Sequence, residues 1–272
     1  MQKEIKKLFA GPFVGEFGWE LFCWQGYIRH LAQNEFNYTK VCCRRGLSFL
    51  YKDFADDIIE YDIPIYCPDG ERNFGDTGSP PKPDSEDSFN RYIKPGTPHI
   101  PRYFPNTGKF NTRFPQVFHK YTYSGPKLES FDFILHARSR KQTGTRDSTV
   151  RNLSQDNWDK LIKPFIDQGY TFGSIGSKED ALLVSGSKDL RGLDLHNVCG
   201  YLTQCKALVG PSSGPMHFGA LCGTPLIAWS GTPNNKVRYE KAWNPFENNV
   251  NYIYGWRNVN LGHISREINK FL

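Results

Sequence analysis

The sequence predicts an α/β protein built from two parallel-sheet halves, and three observations carry that expectation. The first sixty or so residues alternate short β-type runs with helix-type runs. The same alternation begins again at Phe131. Between the two lies a long stretch, Cys67 to Lys127, rich in Pro, Gly, Ser and Asn. Strand, helix, strand, helix, strand is the order that feeds a parallel sheet, and an irregular stretch this long inside a compact protein separates units or serves a function.

In the first half, Lys7 to Ala10 reads as a strand that runs into the Gly-rich turn "GPFVGEFG". A helix is expected from Trp19 to Ala32, because Leu21, Phe22, Trp24, Ile28 and Leu31 recur at helical spacing. A strand follows around Thr39 to Cys43, then a helix around Leu47 to Phe54 and a strand around Ile58 to Tyr61. In the second half, "FDFILHA" from Phe131 is a continuous apolar run, as in a strand buried on both faces. "SQDNWDKLIKPFIDQG" is a helix with Ser154 as N-cap and Gly169 as stop, and Pro164 predicts a kink or an early end. "YTFGSIG" reads as a strand, "KEDALLVSG" as a short helix, "LHNVCGYLTQC" as a helix and "KALVG" as a strand. A last helix is expected over 263–271. The halves are placed at 1–127, with the irregular insertion at about 67–127, and 128–272.

The totals bound the function. The 272 residues suffice for one large or two small cored domains. A net charge of +6 favours acidic partners such as phosphates or nucleic acid without establishing them. Seven cysteines with no CxxC pair argue for reduced, mostly buried thiols rather than a disulfide framework. Cys42 and Cys43 lie in an expected strand, one side chain to each face. The N-terminus lacks the apolar stretch of a signal peptide, and no run approaches the length of a membrane span. The expected location is the cytoplasm.

The most informative stretch is "VGPSSGPMHFGALCGTPLIAWSG", Val209 to Gly231. A strand that ends in Gly-Pro-Ser-Ser-Gly and turns into a helix aims free backbone N–H groups and a helix dipole at the carboxyl edge of the sheet, which suits a phosphate. Ser212 and Ser213 are expected to cap the helix and add hydroxyls. Gly214 permits close approach, Pro215 is preset for the first helical turn, and His217 is placed to donate to the anion. An ordinary capped helix with a structural histidine fits the same pattern.

This stretch, with "LHNVCGYLTQC" before it, resembles the nucleotide-sugar site of heptosyltransferase-like glycosyltransferases of the GT-B fold, in which two Rossmann-like domains face each other across a cleft. The resemblance implies that Ser213, Gly214, Pro215, Met216 and His217 cradle the diphosphate of a nucleotide sugar, and that no cofactor beyond this donor substrate is needed. Where that family has Asp, this chain has Ser212. The segment "ILHARSRKQTG" places His136, Arg138 and Arg140 just past a strand end, and guanidinium forks suit phosphate oxygens. It resembles the His-x-Arg stretch of fucosyltransferase-like GT-B enzymes, in which the arginine stabilises the departing diphosphate. Gly176, at the end of "YTFGSIG", and Thr232, after the second strand of the informative stretch, complete the expected donor set. Arg238 and Glu240 are further candidates there, and Trp243 is expected to pack.

The loop "AGPFVGEFGWELF" is similar to the Gly-rich loop that opens GT-B N-terminal domains. It is neither GxGxxG nor a Walker motif. The resemblance puts the general base close behind a glycine, where the carboxylates are Glu16 and Glu20. Gly15, Gly18 and Trp19, with Arg102 and Arg113 from the insertion, are the expected acceptor contacts. No Asp-x-Asp pair occurs, so metal-free transfer is expected, with Arg138, His217 and the helix start supplying positive field; the family resemblance implies inversion. From Ser88 through Leu128 there is no acidic residue, while seven Lys and Arg alternate with aromatic rings. Such a stretch can follow a phosphate backbone and stack bases, which raises DNA with hydroxylated bases as acceptor beside a glycan. The favoured reading is a solvated loop pinned to the domain by its aromatics. Two other classes stand beside the transferase: a nucleic-acid-binding protein on an inactive transferase fold, and a phosphate-ester enzyme, which the absence of a P-loop opposes.

Overall fold

The computed structural model describes residues 7–10, 17–61, 99–100, 115–140, 148–232 and 234–272. It divides into two compact units, Met1–His119 and Lys120–Leu272. Each holds one parallel sheet.

In the first unit the strands β1 (Lys7–Ala10), β2 (Tyr38–Arg44), β3 (Asp57–Tyr61) and β4 (His99–Ile100) are ordered β3-β2-β1-β4, every pair parallel. The helical stretch after β1 runs from Phe17 to Asn34 and contains a π turn at Glu20–Trp24. The widened turn buries all five of its residues, and Leu21, Phe22, Trp24, Ile28 and Leu31 form the expected apolar face. Arg29 is buried on the same helix. Its guanidinium grips Asp53 in a fork, Nε–Oδ2 2.7 Å and Nη2–Oδ1 3.0 Å, and donates to the carbonyls of Val117 (2.9 Å) and Leu50 (3.1 Å). The expected helix at Leu47–Phe54 is only a 3₁₀ turn at Ser48–Leu50, and its Leu50 carbonyl serves Arg29. Cys42 and Cys43 are both buried on β2, and burial pushes the Cys42 thiol up to about 12, so it stays protonated.

The second unit carries six strands: β5 (Phe133–Leu135), β6 (Phe172–Ser174), β7 (Lys188–Asp189), β8 (Ala207–Pro211), β9 (Leu226–Ser230) and β10 (Val250–Tyr254). Their order is β10-β9-β8-β5-β6-β7, all parallel. The chain builds outward from β5 through β6 to β7, then returns to the other side of β5 to lay down β8. Strands β5 and β8 therefore flank the point where the direction of winding reverses. Open α/β sheets hold their ligands at the carboxyl ends of such strands. The core beneath is closed by Phe133, Trp158, Ile162, Val209, Trp229 and Ile264.

Three helices of this unit start on side-chain caps. Ser154, Asp194 and Asn260 accept the N–H groups of Asn157, Asn197 and His263 at 3.3, 2.8 and 3.1 Å, starting the helices Gln155–Ile166, Leu195–Leu202 and Leu261–Asn269. The first contains Pro164 and ends two residues after it, close to where the missing N–H first costs a bond. "KEDALLVSG" forms no helix. Its backbone pairs with the loop after β5 instead: Ser139 donates to Asp180 O and Leu182 to Ala137 O, both at 2.7 Å. The strands β7 and β10 escape the sequence pattern, β7 because it has only two residues and β10 because its edge position tolerates polar Asn251. Lys120–Lys127 belongs with this unit, since Tyr121 N–H donates to Leu221 O at 2.9 Å and the Tyr123 ring lies 4.6 Å from that of His196. No described helix is long and apolar enough to cross a membrane.

Candidate active site

At the reversal point, three loops converge because their strands are neighbours in register. The His136 N–H donates to Val209 O at 2.9 Å, carrying the β5–β8 ladder one residue past β5. Gly210 then has no room for a side chain. A β-carbon there would sit 2.9 Å from the His136 carbonyl and 2.9 Å from Met216 Sδ. This close approach brings the loop after β5 against the Gly214–Leu221 helix that follows β8.

The start of that helix differs from expectation. Ser213 is the N-cap residue in extended conformation, φ −168° and ψ 169°, but its hydroxyl turns back to donate to Pro211 O at 2.8 Å. Ser212 donates its N–H to Trp229 O at 2.8 Å. Neither serine caps the helix, and the Tyr239 hydroxyl lies against the Ser213 N–H just ahead of it. Gly214 opens the first turn and Pro215 follows it. Met216 is fully buried against Gly210, which leaves its main chain as the part able to meet a ligand. A helix start that its own side chains leave uncapped is suited to an external anion.

One cation, Arg151, reaches this start, and a second, Arg138, is tied to its neighbour Asn152. Arg138 is 8% exposed, and its Nη1 donates to Asn152 Oδ1 at 2.7 Å. The same amide donates through Nδ2 to the Arg140 carbonyl at 2.8 Å, so Asn152 fixes both residues. Arg151 was not singled out from the sequence. It ends a 3₁₀ turn, Ser148–Arg151, which Arg257 N–H anchors by donating to Val150 O at 2.9 Å. Its guanidinium lies 5.3 Å from the Trp256 ring centroid and donates to the Ser212 carbonyl at 3.4 Å. Its only signal in the sequence is its place three residues ahead of the Ser154 cap.

Both histidines are neutral, which corrects the expected source of positive field. Burial, and then the nearby Arg151, lower His217 from 6.5 to about 3. His217 therefore offers an N–H and no charge at neutral pH. His136 is lowered to about 4 by burial and by Arg138, against a raising bond to Ile175. Its Nδ1 lies 3.3 Å from the Ile175 carbonyl and is the donor there. Gly176, at φ +126°, packs on the ring, and a β-carbon would come within 3.1 Å of Nδ1. His136 thus props the Arg138 loop, and the role of Gly176 is to admit that ring. Thr232 is exposed; its N–H donates to Ser230 Oγ at 3.1 Å. Trp243 packs, as expected, with its ring on His217. Arg238 lies 5.5 Å from the Trp243 ring centroid, and Glu240 pairs loosely with Lys236 on the surface.

In the first unit, Gly18, Trp19 and Glu20 occupy the opening turns of the Phe17–Asn34 stretch. Glu20 does not stand free as a base. It is 1% exposed, accepts from Tyr51 OH at 2.7 Å on one oxygen and is bound by Arg44 Nη2 on the other. A buried carboxylate held by a guanidinium and a phenol is a structural ion pair. Gly15, Glu16, Arg102 and Arg113 lie outside the described residues. Where the acid-free stretch is described, its rings are packed: Phe118 on Phe22 (5.5 Å), Tyr121 on Phe218 (5.8 Å) and Tyr123 on His196. Among the described residues no three His, Cys, Asp or Glu side chains form a metal-ligand set.

No protein-family model matches the chain, and no curated protein matches it. Solved structures do. The family 9 glycosyl transferase of Veillonella parvula superposes with a TM-score of 0.60 at 11% identity, covering 100% of this chain and 98% of that one. The ADP-heptose heptosyltransferase II of E. coli gives 0.61 at 13% identity over 98% of both chains. E. coli heptosyltransferase WaaC with ADP gives 0.57 at 11% identity, over 98% of this chain and 99% of that one. The chain has the α/β fold of the heptosyltransferase-like GT-B structures.

Proposed function

We propose that this protein is a glycosyltransferase that moves a sugar from a nucleoside-diphosphate sugar to an acceptor hydroxyl. The observation that supports it most directly is the helix start at the reversal point of the second sheet, left uncapped by its own serines and reached by Arg151, with Arg138 tied to the adjoining Asn152. Main-chain N–H groups, a helix dipole and two guanidinium groups together match the charge and the oxygens of a diphosphate. The fold shared with heptosyltransferases supports the same reading, and the ADP in the WaaC structure makes ADP the first nucleotide to test.

In the transfer, the acceptor oxygen forms a bond to the anomeric carbon and loses its proton to a carboxylate. The bond from that carbon to the diphosphate breaks, and its electron pair leaves with the diphosphate. Arg138, Arg151 and the helix start stabilise the charge that develops there without a metal. Glu16 takes the part of base, because Glu20 is engaged by Arg44 and Tyr51. A single displacement of this kind inverts the anomeric centre. The packing of Phe118, Tyr121 and Tyr123 leaves these three rings unsuited to stacking on a nucleobase.

A thermal-shift series with ADP, UDP, GDP and dTDP tests the reading. One diphosphate should raise the melting temperature in a saturable way, and Arg138→Ala and Arg151→Ala should each weaken its binding about 10- to 100-fold. Unchanged affinity in both variants would refute the proposed site.

A further inference from the structure

The His217 ring is enclosed more tightly than a helix side chain requires. Tyr239 stacks on its face, centroids 5.4 Å apart and planes at 19°, while Trp243 meets it edge-on at 4.5 Å and 67°. The two also meet each other at 5.1 Å and 87°. Both come from a π turn, Arg238–Ala242, closed by Trp243 N–H donating to the Arg238 carbonyl at 2.7 Å. Residues four apart share a face of such a turn, and here both rings of that face are buried on His217. Turns of this kind are rare and concentrate at functional sites.

We propose that Tyr239 and Trp243 are positioning residues that clamp the His217 imidazole in one orientation at the head of the Gly214–Leu221 helix, so that its N–H meets the diphosphate of the donor. The inference rests on the transferase reading for its ligand; the clamp itself does not. An imidazole held between two rings loses its rotameric freedom before the ligand arrives. Tyr239 also ties the clamp to the helix start, since its hydroxyl lies against the Ser212 side chain and the Ser213 N–H. The charged and titratable groups around the ring are Arg151 from the 3₁₀ turn, the Tyr239 phenol, whose titration burial pushes up, and Arg238 behind Trp243. Each of them opposes or withstands protonation of the imidazole. The site therefore keeps one hydrogen-bond donor of fixed direction over a wide pH range.

The test is a histidine titration by NMR on the full chain with labelled histidine, His217→Gln assigning the resonance, combined with ADP binding by calorimetry at neutral pH and near pH 5. The expected result is that His217 stays neutral throughout in the wild type and in Tyr239→Phe, which keeps the ring. In Tyr239→Leu and Trp243→Leu it should titrate toward about 6.5, with ADP affinity about tenfold weaker at neutral pH and partly recovered on acidification. Wild-type titration preserved in both leucine variants would overturn the clamp. A shifted titration with unchanged ADP affinity would overturn its positioning role. If the leucine variants fail to fold, Trp243→Phe replaces them, and the ring-current shift of the His217 signal must change for the clamp to stand. Absence of binding by any nucleoside diphosphate in the wild type, with the titration behaving as expected, would defeat the transferase reading and leave the clamp as packing alone.

Discussion

Two carboxylates four residues apart in the sequence, Glu16 and Glu20, are interchangeable as letters and differ in physics. Glu20 is neutralised by Arg44 inside the first unit, and replacing it strands a buried guanidinium. Glu20→Gln should therefore lower stability by about 3 kcal/mol in denaturant unfolding. Glu16→Gln should abolish sugar transfer while leaving diphosphate affinity and stability close to wild type. Activity loss from Glu20→Gln at full stability would reverse this assignment. The same distinction separates the arginines. Arg138 could be picked out because it follows a strand end, whereas Arg151 sits in a short turn whose place is set by Trp256 and Arg257 from the far end of the chain. Nothing local marks such a residue. His217 could be singled out from the sequence as a candidate. Its neutrality could not be read there, because burial and the proximity of Arg151 exist only after folding.

At the scale of elements, the sequence conveyed strands and helices wherever apolar periodicity and caps agreed, as at Ser154 and Asp194. It failed where backbone groups were claimed by distant partners. "KEDALLVSG" has helix-forming residues, yet its carbonyl and N–H groups complete an antiparallel bridge to the loop carrying Arg138. The serines before the Gly214–Leu221 helix look like caps and are not, since Ser213 binds Pro211 O. Gly210 tests the packing of strand against helix. Gly210→Ala must displace the His136 carbonyl, which is main chain and cannot swing aside, so a loss of about 1–3 kcal/mol is expected. Because the shift falls on the loop that bears Arg138, ADP affinity should fall with it, measurable on the fraction that remains folded.

For the molecule as a whole, the two buried histidines link stability to pH. Both have folded values below the ordinary 6.5, about 4 for His136 and about 3 for His217. The unfolded chain binds their protons first as pH falls, so stability is complete above about pH 6.5 and declines below it, until the folded groups themselves protonate. Each contributes about 1.4 kcal/mol per pH unit within that window. Urea midpoints measured between pH 7.5 and 5 should fall accordingly, and His217→Gln should flatten the slope; a midpoint independent of pH would contradict the burial of both rings. The alternation of strands and helices that feeds two parallel sheets was readable in both halves. The six-strand order was not, because a two-residue strand and a polar edge strand leave no pattern in a linear chain.

The order in which the second sheet is wound has a consequence for any dissection of this protein. Strand β8 joins β5 only after β6 and β7 have been laid on the opposite side in chain order, so the groups of the proposed anion site are gathered from segments remote in the chain. A fragment that stops ahead of Ala207 contains Arg138 and Arg151 but no socket for them to serve. Nucleotide affinity should consequently emerge all at once, late in refolding, and mixing the two complementary pieces should restore it only if they rebuild the shared ladder.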